Sequence, residues 1–287
     1  RMRYAFISAH EGEFSVKRMC RVLKVTRSGY YAWRHHPASQ REQANQALLE
    51  QIRVAYQTSR KTYGSPRIHA YLLRKGVFCG RNRVARLMHT YQLVAKKAHR
   101  RYPVTTQQRF GARTAPNLLN QNFSAQAPNQ KWVSDITYID TSEGWLYLAS
   151  VLDLYSRRVV GWAMAERMDT HLVDLALKMA WSTRRPAAGL LHHSDRGCQY
   201  TSDTYLSYLA DLGCTVSMSR TGNCYDNAAM ESFFATLKAE CARSQFVTRA
   251  QARATIFEFI ESWYNRQRLH SSLDYRSPVE FELTSGH

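Results

Sequence analysis

The sequence predicts an all-α front half with a helix-turn-helix, followed by an α/β domain built on a mixed sheet. Apolar residues recur at helical spacing through residues 14–91. From residue 131 the pattern changes to strands and helices in the order β-β-β-α-β-α-β-α, which is typical of a mixed sheet with helices on both faces. The net charge also changes sign between the two halves.

The charge of the chain is strongly asymmetric. The 287 residues carry 40 Lys and Arg against 22 Asp and Glu, a net charge of +18. Residues 1–130 hold 24 basic and 4 acidic side chains, whereas residues 131–287 hold 16 and 18. We therefore expect the front half to bind nucleic-acid phosphates and the back half to concentrate carboxylates that bind cations. A basic protein whose charges are only solvated is the alternative.

Several classes of protein are not predicted. The apolar runs are far shorter than the ~20 residues that span a bilayer, and the N-terminus lacks the apolar core of a signal peptide. The six cysteines are scattered without a Cys-x-x-Cys pair, so neither a zinc finger nor a disulfide scaffold is indicated. A reducing cytoplasm fits this use of cysteine.

The front half begins with helices. Apolar spacing predicts two short helices within residues 14–35 and a longer one over 41–58. Next, Ser65 is a plausible cap and Pro66 a first helical residue. Gly76 ends this helix.

A second, basic helix is predicted from Arg81 to Tyr91, with Val84, Leu87 and Met88 facing inward. A helix, a glycine turn and a basic helix are typical of a helix-turn-helix, whose second helix enters the major groove. We expect DNA contacts from the outward side chains Arg81, Asn82, Arg83 and Arg86. A structural hairpin with a basic surface is the alternative.

Residues 94–130 lose periodicity and are rich in Gln, Asn, Thr and Pro, which indicates a linker. Lys96 and Lys97, near its start, are candidate DNA contacts. A plain solvated linker explains the same composition.

The elements of the back half follow from apolar runs and helical spacing. Strands are predicted at 131–140, 144–155, 157–166, 189–194 and 215–219, and helices at 170–184, 202–212 and 227–243. Another amphipathic helix contains Ile256 and Trp263, and a polar tail is expected from Tyr264 onward.

Three acids occupy unusual positions. Asp135 lies inside a strand, where aspartate is disfavoured. Asp195 follows an apolar strand, at the edge where open α/β sheets bind ligands. Glu231 lies in the first turns of the helix that starts near Asn227. Each alone has a structural alternative. Asp135 could satisfy a buried polar network, Asp195 could cap a turn, and Glu231 could be a solvated helix residue.

Together the three acids predict a metal site. If the first and fourth strands are neighbours, Asp135 and Asp195 lie side by side and repel each other unless a cation binds. Oxygen ligands without Cys or His favour Mg²⁺ or Mn²⁺. Two such ions can activate a water or hydroxyl and stabilise the leaving oxygen of a phosphodiester. We therefore predict that Asp135, Asp195 and Glu231 are both catalytic and metal-binding.

The segments around these acids resemble a known family. Residues 132–138, 193–200 and 226–234 are similar to the motifs of DDE transposases of bacterial insertion sequences, most of all the OrfB product of the IS-three family, which is similar to retroviral integrases. The 35 residues between Asp195 and Glu231 match the family's spacing, and Lys238 stands where the family carries a basic residue. Segments 264–265 and 268–271 resemble its C-terminal signature.

The resemblance implies a ribonuclease-H-like catalytic domain that cuts a DNA strand at the element's end and joins its 3′-hydroxyl to another phosphodiester. It implies terminal repeats and target DNA as partners, at least a dimer, an upstream reading-frame product as fusion or partner, and action on the bacterial nucleoid. The expected regions are a helical N-terminus at 1–40, a helix-turn-helix domain at 41–93, a linker at 94–130, the catalytic domain at 131–245 and a C-terminal helix and tail at 246–287.

Asn227 and His193 are predicted to support the site, and two other functions are consistent with the same sequence. Asn227 orients Glu231 or contacts substrate, or it caps the helix. His193 moves protons or, as the favoured alternative, is a core histidine. A silent sequence-specific regulator would bind DNA without cutting it, and a structure-specific nuclease on the same fold would cut without joining.

Overall fold

The computed structural model describes residues 2–35, 39–96, 114–220, 223–242 and 245–284. By its internal contacts the chain divides into two compact units, residues 1–53 and 54–287. Over the described ranges, none of the helices combines the length and the apolar character that crossing a bilayer requires.

The first unit is a small helical cluster. It contains α1 (Met2–Ala9), α2 (Val16–Val22), α3 (Arg27–His35) and the start of α4 (Gln40–Thr58). Its core is formed by the buried side chains Ile7, Met19, Cys20 and Tyr30. Apolar spacing predicted α2, α3 and α4. It did not predict α1, because the eight residues of α1 bury a single side chain and so carry little periodic signal.

The second unit begins with the predicted helical hairpin, α5 (Ser65–Arg74) and α6 (Arg81–Thr90). The two helices pack through buried apolar side chains, Ile68 and Leu72 from α5 and Val84, Leu87 and Met88 from α6. Gly64 is the N-cap of α5, one residue earlier than predicted, since Ser65 already has helical geometry. Gly76 makes the turn with a φ of 76°.

This hairpin is fixed to the C-terminal part of the same unit. The Tyr63 hydroxyl accepts a hydrogen bond from the Leu269 N–H at 2.6 Å. Arg74 donates to the Tyr275 carbonyl at 2.8 Å. Arg60 contacts both carboxylate oxygens of Glu258, at 2.5 and 2.6 Å.

A five-stranded mixed sheet forms the centre of the second unit, in the order β3-β2-β1-β4-β5. The first three strands are antiparallel neighbours, and β4 and β5 run parallel to β1. The strands are β1 (Lys131–Ile139), β2 (Leu146–Asp153), β3 (Val159–Ala165), β4 (Leu191–Ser194) and β5 (Thr215–Met218). All five were predicted, with ends that differ by up to two residues.

Helices cover both faces of the sheet. α7 (Thr170–Arg184) and α8 (Asp203–Asp211) share one core with Trp132 of β1. α9 (Ala228–Glu240) packs on β1 as well, and Leu152, the cross-strand partner of Val133, lines a cavity together with residues of α9. Neighbouring residues of a strand face opposite sides of the sheet. Trp132 faces α7 and α8, whereas Val133 lies on the side of α9, so α9 covers the opposite face.

Two predicted ends change where tertiary contacts intervene. The helix predicted over 227–243 is instead a 3₁₀ turn, Cys224–Asn227, followed by α9, which ends at Glu240. After α10 (Arg249–Glu258), a π-helical turn Phe259–Tyr264 continues the helix. A 3₁₀ turn, Ser271–Leu273, and α11 (Pro278–Thr284) follow.

The residues after Tyr264 do not form a solvated polar tail. Asn265 and Arg268 are 3% and 5% exposed, and Leu269, His270 and Leu273 are also buried. The expectation failed because the polar side chains find partners: Asn265 exchanges hydrogen bonds with the N–H and carbonyl of Val159 at 3.0 and 2.9 Å.

The described end of the predicted linker is docked on the sheet edge. The N–H groups of Leu118 and Leu119 donate to the Ser217 hydroxyl of β5 at 2.9 and 3.1 Å. The N–H of Met218 donates to the Pro116 carbonyl at 3.3 Å. Residues 116–119 therefore cover part of the edge strand β5, which would otherwise expose unpaired backbone groups.

Candidate active site and DNA-binding surface

Two of the predicted acids lie at the ends of neighbouring strands. β1 and β4 are parallel, with Val133 opposite His193, so two residues further on Asp135 and Asp195 come side by side. The Asp135 carboxylate accepts the Ile136 N–H at 2.7 Å, and Asp195 accepts the Gly197 N–H at 3.0 Å. Both residues are half-buried. The predicted metal site required the first and fourth strands to be neighbours, and β1 and β4 are neighbours.

The pKa of Asp135 is affected by the negative charges of the two other acids. Burial raises the pKa of Asp135 well above its ordinary value, and the charge of Asp195, followed by that of Glu231, raises it further. The Ile136 N–H and the ammonium of Lys238 act in the opposite direction. An aspartate in such surroundings is stabilised in its charged form only if a cation offsets the repulsion.

Glu231 and Lys238 lie on one side of α9. Residues seven apart in a helix return to nearly the same side. Glu231 is exposed in the first turn, and partial burial raises its pKa. The Lys238 ammonium lies 4.3 Å from the centre of the Tyr138 ring, and burial lowers its pKa while the charge of Asp135 opposes that effect. α9 thus presents one acid and one base to the end of β1.

The three acids do not form a preformed metal cage. Within the described ranges, no three His, Cys, Asp or Glu side chains are grouped closely enough to hold a metal ion. Asp195 affects the pKa of Asp135 more strongly than Glu231 does. The structure therefore brings two of the predicted ligands together, and the third approaches from an exposed position on α9.

Asn227 ties the start of α9 to the site. Its side chain is buried and its amide nitrogen donates to the Ser134 carbonyl at 3.4 Å, one residue before Asp135. It makes no side-chain capping bond to α9, and its Oδ1 is buried without a partner in the described part of the chain. The contact favours a positioning role near Glu231 over helix capping.

The sequence patterns did not single out Asp226. Asp226 is fully buried, and its carboxylate accepts bonds from Asn117 at 2.8 Å, from Gln121 at 3.1 Å and from the N–H and guanidinium of Arg220. These donors, Arg220 first, hold the pKa of Asp226 well below its usual range. Asn117 and Gln121 come from the predicted linker, so nothing local to residue 226 signalled the network.

The structure favours the core interpretation of His193. The side chain is fully buried, and its ring nitrogens contact the hydroxyls of Ser217 at 2.8 Å and Ser219 at 3.1 Å. Burial lowers the pKa of His193 to about 4. The imidazole is therefore neutral near pH 7, and both of its nitrogens are engaged inside the sheet.

The predicted DNA-binding side chains lie mainly on the outer side of α6. Arg81, Asn82 and Arg86 are exposed and Arg83 is half-buried. Lys96 is exposed beyond α6, and its N–H donates to the Lys61 carbonyl at 2.9 Å. Lys97 lies outside the described residues. Because Arg81, Asn82 and Arg86 are exposed, a nucleic acid can reach the basic surface of α6.

The fold and the site define a class of protein. A mixed sheet ordered β3-β2-β1-β4-β5, with acids on β1, after β4 and on α9, is a ribonuclease-H-like integrase core, the fold of DNA polynucleotidyl transferases. Family models for "Integrase core domain" match residues 125–224 and 212–278, and one for "HTH-like domain" matches residues 43–102.

Curated relatives cover nearly the whole chain. It is 45% identical over 285 residues to "Transposase InsF for insertion sequence IS3A" of Escherichia coli (strain K12), covering 98% of both chains. It is 48% identical over 264 residues to "Insertion element IS600 uncharacterized 31 kDa protein" of Shigella sonnei, covering 92% of this chain and 97% of the relative. The chain belongs to the IS3 family of insertion-sequence transposases, as the motifs around the three acids predicted.

A solved structure is also similar. The HTLV-2 integrase catalytic core domain in complex with magnesium aligns with a TM-score of 0.43 and 13% identity, covering 55% of this chain and 99% of that one.

Proposed function

We propose that this transposase binds the terminal repeats of its insertion sequence and catalyses metal-dependent strand cleavage and strand transfer with Asp135, Asp195 and Glu231. One observation carries the proposal: the parallel pairing of β1 with β4 places Asp135 beside Asp195, and the charges of Asp195 and Glu231 raise the pKa of Asp135. A bound divalent cation offsets the repulsion between carboxylates that lie so close together.

The donor set fits Mg²⁺ or Mn²⁺. All three side chains are carboxylates, and hard divalent cations prefer oxygen ligands. Asp135 and Asp195 would hold one ion between the strand ends, and Glu231, exposed on α9, would complete the site when DNA and metal are bound. Two bound ions supply activation of the attacking oxygen and stabilisation of the leaving oxygen.

The remaining residues of the site hold DNA and position the acids. Lys238, near Asp135 and on the Tyr138 ring, is placed to contact a phosphate of the strand that is cut. Asn227 fixes the start of α9 against the Ser134 carbonyl. In cleavage, a water attacks the phosphorus at the element end and the P–O3′ bond breaks, which gives a 3′-hydroxyl on the element and a 5′-phosphate on the flanking strand. In transfer, the oxygen of that 3′-hydroxyl attacks a phosphorus of the target, forms a new phosphodiester and displaces the target's own 3′-oxygen, which leaves as a 3′-hydroxyl.

The helix-turn-helix supplies recognition. α6 would lie in the major groove with Arg81 and Asn82 near its N-terminal end, and Arg83 and Arg86 would contact bases or backbone. Lys96 would contact a phosphate beside α6, and Lys97 is kept as a candidate DNA contact from its sequence alone. Arginine and asparagine are the side chains that read guanine and adenine by paired hydrogen bonds. We assign recognition to residues 41–93 and catalysis to residues 131–245, with 1–40, 94–130 and 246–287 as accessory regions.

Two element ends must be held together, so we propose a dimer or larger assembly on DNA. The upstream reading-frame product is a further partner, as a fusion or a separate chain. The substrate places the protein's action on chromosomal DNA in the bacterial cytoplasm.

The test incubates the protein with a labelled duplex carrying its own element's end and Mg²⁺ or Mn²⁺, beside Asp195→Asn. We expect metal-dependent cleavage and joining that Asp195→Asn lacks while its DNA binding persists. Cleavage without joining would indicate a nuclease. Tight binding without cleavage, with the upstream product present, would contradict the assignment of the three acids.

A further inference from the structure

A second charged site lies on another face of α9. A cavity of about 310 Å³ opens between α9, α5 and the turn between β2 and β3, and we name it the arginine cavity after Arg67, Arg157 and Arg268, which line it. The C-terminal signature also contributes His270. From α9, Ser232 and Thr236 line the cavity, roughly 100–140° around the helix from Glu231.

The positive charge of the cavity exceeds its negative charge. Arg268 is 5% exposed and paired with Glu240, its Nε and Nη2 lying 3.0 and 2.9 Å from Oε1. In the described part of the chain, neither Arg67 nor Arg157 has a carboxylate partner. Three guanidinium groups therefore share one carboxylate, which leaves an excess of two positive charges.

Burial makes this excess unfavourable. Desolvation lowers the pKa of Arg157 and of Arg67, and the charge of Arg268 lowers that of Arg67 further. Burial and then the three arginines lower the pKa of His270 well below its ordinary value. A cluster of buried like charges opposes folding unless an anion neutralises it.

Buried nitrogen atoms without partners point to the same ligand. Arg67 Nε and His270 Nε2 are buried without hydrogen-bond partners in the described residues, and His270 is 9% exposed. Ser232 and Thr236, which carry hydroxyls, also line the cavity. Guanidinium groups and hydroxyls match the oxygens of a phosphate, which arginine binds by paired hydrogen bonds.

We propose that the arginine cavity binds a phosphate group of a DNA strand, at a position separate from the three acids. Its volume exceeds what a bare phosphate needs and accommodates part of a nucleotide. Its walls join α5 of the helix-turn-helix to α9, so a strand held there links recognition to the catalytic helix. The inference does not depend on the metal reaction, since phosphate binding persists in an enzyme that cannot cleave.

The test compares Arg157→Gln and Arg67→Gln with the control Arg266→Gln. Arg266 is exposed in the same C-terminal segment and does not line the cavity, so its loss removes the same charge without touching the site. The first arm measures thermal unfolding in inorganic phosphate against chloride at equal ionic strength. We expect phosphate to raise the midpoint of wild type and Arg266→Gln by roughly 2–4 °C, and to have no such effect on the cavity variants.

The second arm measures the affinity for the element-end duplex at several salt concentrations. The plot of log affinity against log salt has a negative slope. Loss of one phosphate contact should make this slope shallower by about 0.9 in the cavity variants relative to Arg266→Gln. Without phosphate, Arg157→Gln should unfold at the same temperature as wild type or a higher one, because it removes a buried repulsion, so a folding defect is not the expected result.

The outcomes separate the sources of the phosphate. Both effects together support the proposal. Phosphate stabilisation with an unchanged salt slope would assign the cavity to a free phosphate compound and overturn the DNA source. Equal phosphate responses in Arg266→Gln and both cavity variants would overturn the site itself. Asp195→Asn should respond to phosphate as wild type does, which keeps this test independent of catalysis.

Discussion

One face of α9 carries Glu231 and Lys238 toward the carboxylates at the ends of β1 and β4, whereas another face, with Ser232 and Thr236, lines the arginine cavity. The first region concentrates negative charge and the second positive charge, each partly buried. Both clusters are electrostatically unfavourable in the protein alone. A bound cation would stabilise the first cluster, and a bound anion would stabilise the second.

The largest effect is expected at Asp135, in the acidic cluster. Asparagine has nearly the same shape but removes the charge that a divalent cation requires, so Asp135→Asn should lower cleavage and joining at least ~10³-fold. Without metal, the variant should unfold at a higher temperature than wild type, since the raised pKa shows that the charged carboxylate is unfavourable in the folded state.

Asp140→Asn is the matched control, because Asp140 is exposed just beyond the end of β1. Activity and midpoint should both stay near the wild-type values. Activity surviving in Asp135→Asn would remove Asp135 from the catalytic site.

A second prediction tests whether both faces of α9 depend on the loop before it. Asp226→Asn breaks the ion pair between the buried Asp226 carboxylate and the half-exposed guanidinium of Arg220. It should lower the free energy of unfolding by about 2–3 kcal/mol, because the hydrogen bonds to a buried carboxylate are lost. The pKa of Asp226 is lowered in the folded state, so its contribution is complete above about pH 4 and is lost as the pH falls toward the folded pKa.

Denaturant unfolding at pH 7 and pH 3 measures this effect, with Asp211→Asn, an exposed acid at the end of α8, as control. The difference from wild type should shrink at pH 3. An equal difference at both pH values would show that the carboxylate's charge is not what stabilises the loop.

The third prediction separates base reading from phosphate holding. Arg81→Ala and Asn82→Ala should each weaken binding to the element's own end by about 1–3 kcal/mol, with a smaller loss on unrelated DNA. Competition binding with both duplexes measures the ratio, beside Arg185→Ala as an exposed basic control. Variants of the arginine cavity should instead weaken both duplexes alike. Equal losses on both duplexes for α6 variants would make α6 a backbone contact only.

The smallest effect on activity is expected at His193, which belongs to neither of the two charged clusters. His193→Asn should keep cleavage at pH 7 within about tenfold of wild type, because a neutral, serine-bonded imidazole has no proton to transfer there. A larger loss with the fold intact would favour the proton-transfer interpretation.

The same variant has a pH signature. The pKa of His193 is about 4 in the folded state and about 6.5 when unfolded. Protonation therefore favours the unfolded chain, and wild-type stability should fall as the pH drops from about 6.5 to 4, at up to about 1.4 kcal/mol per pH unit from this group. His193→Asn should lack that component in unfolding curves measured across this range.

Sequence patterns were sufficient for elements whose signal is local. The hairpin of α5 and α6, the five strands and α7 follow from apolar period and turn residues, and each ends within two residues of its prediction. Asp135 and Asp195 were found because an acid in or after an apolar strand is locally anomalous. Their neighbouring positions required the parallel pairing of β1 with β4, which the alternation of elements suggested but did not require.

Residues whose role depends on distant partners were not predictable in the same way. The sequence predicted no role for Asp226 and allowed Asn227 to be a helix cap. In the structure Asn117 and Gln121 donate to the Asp226 carboxylate, and Asn227 donates to the Ser134 carbonyl. Residues beyond Tyr264 looked like a polar tail because their composition is polar. Their burial depends in part on partners about 100 residues or more away, such as Val159 and Tyr63.

Spacing within single elements was enough to predict the class of fold, the three acids and the basic helix. The folded chain was needed to show that Arg67, Arg157 and Arg268 share one cavity, since they come from α5, a strand turn and the C-terminal segment. Charge repulsion acts through space rather than along the chain, so only the folded chain reveals that these arginines form a site.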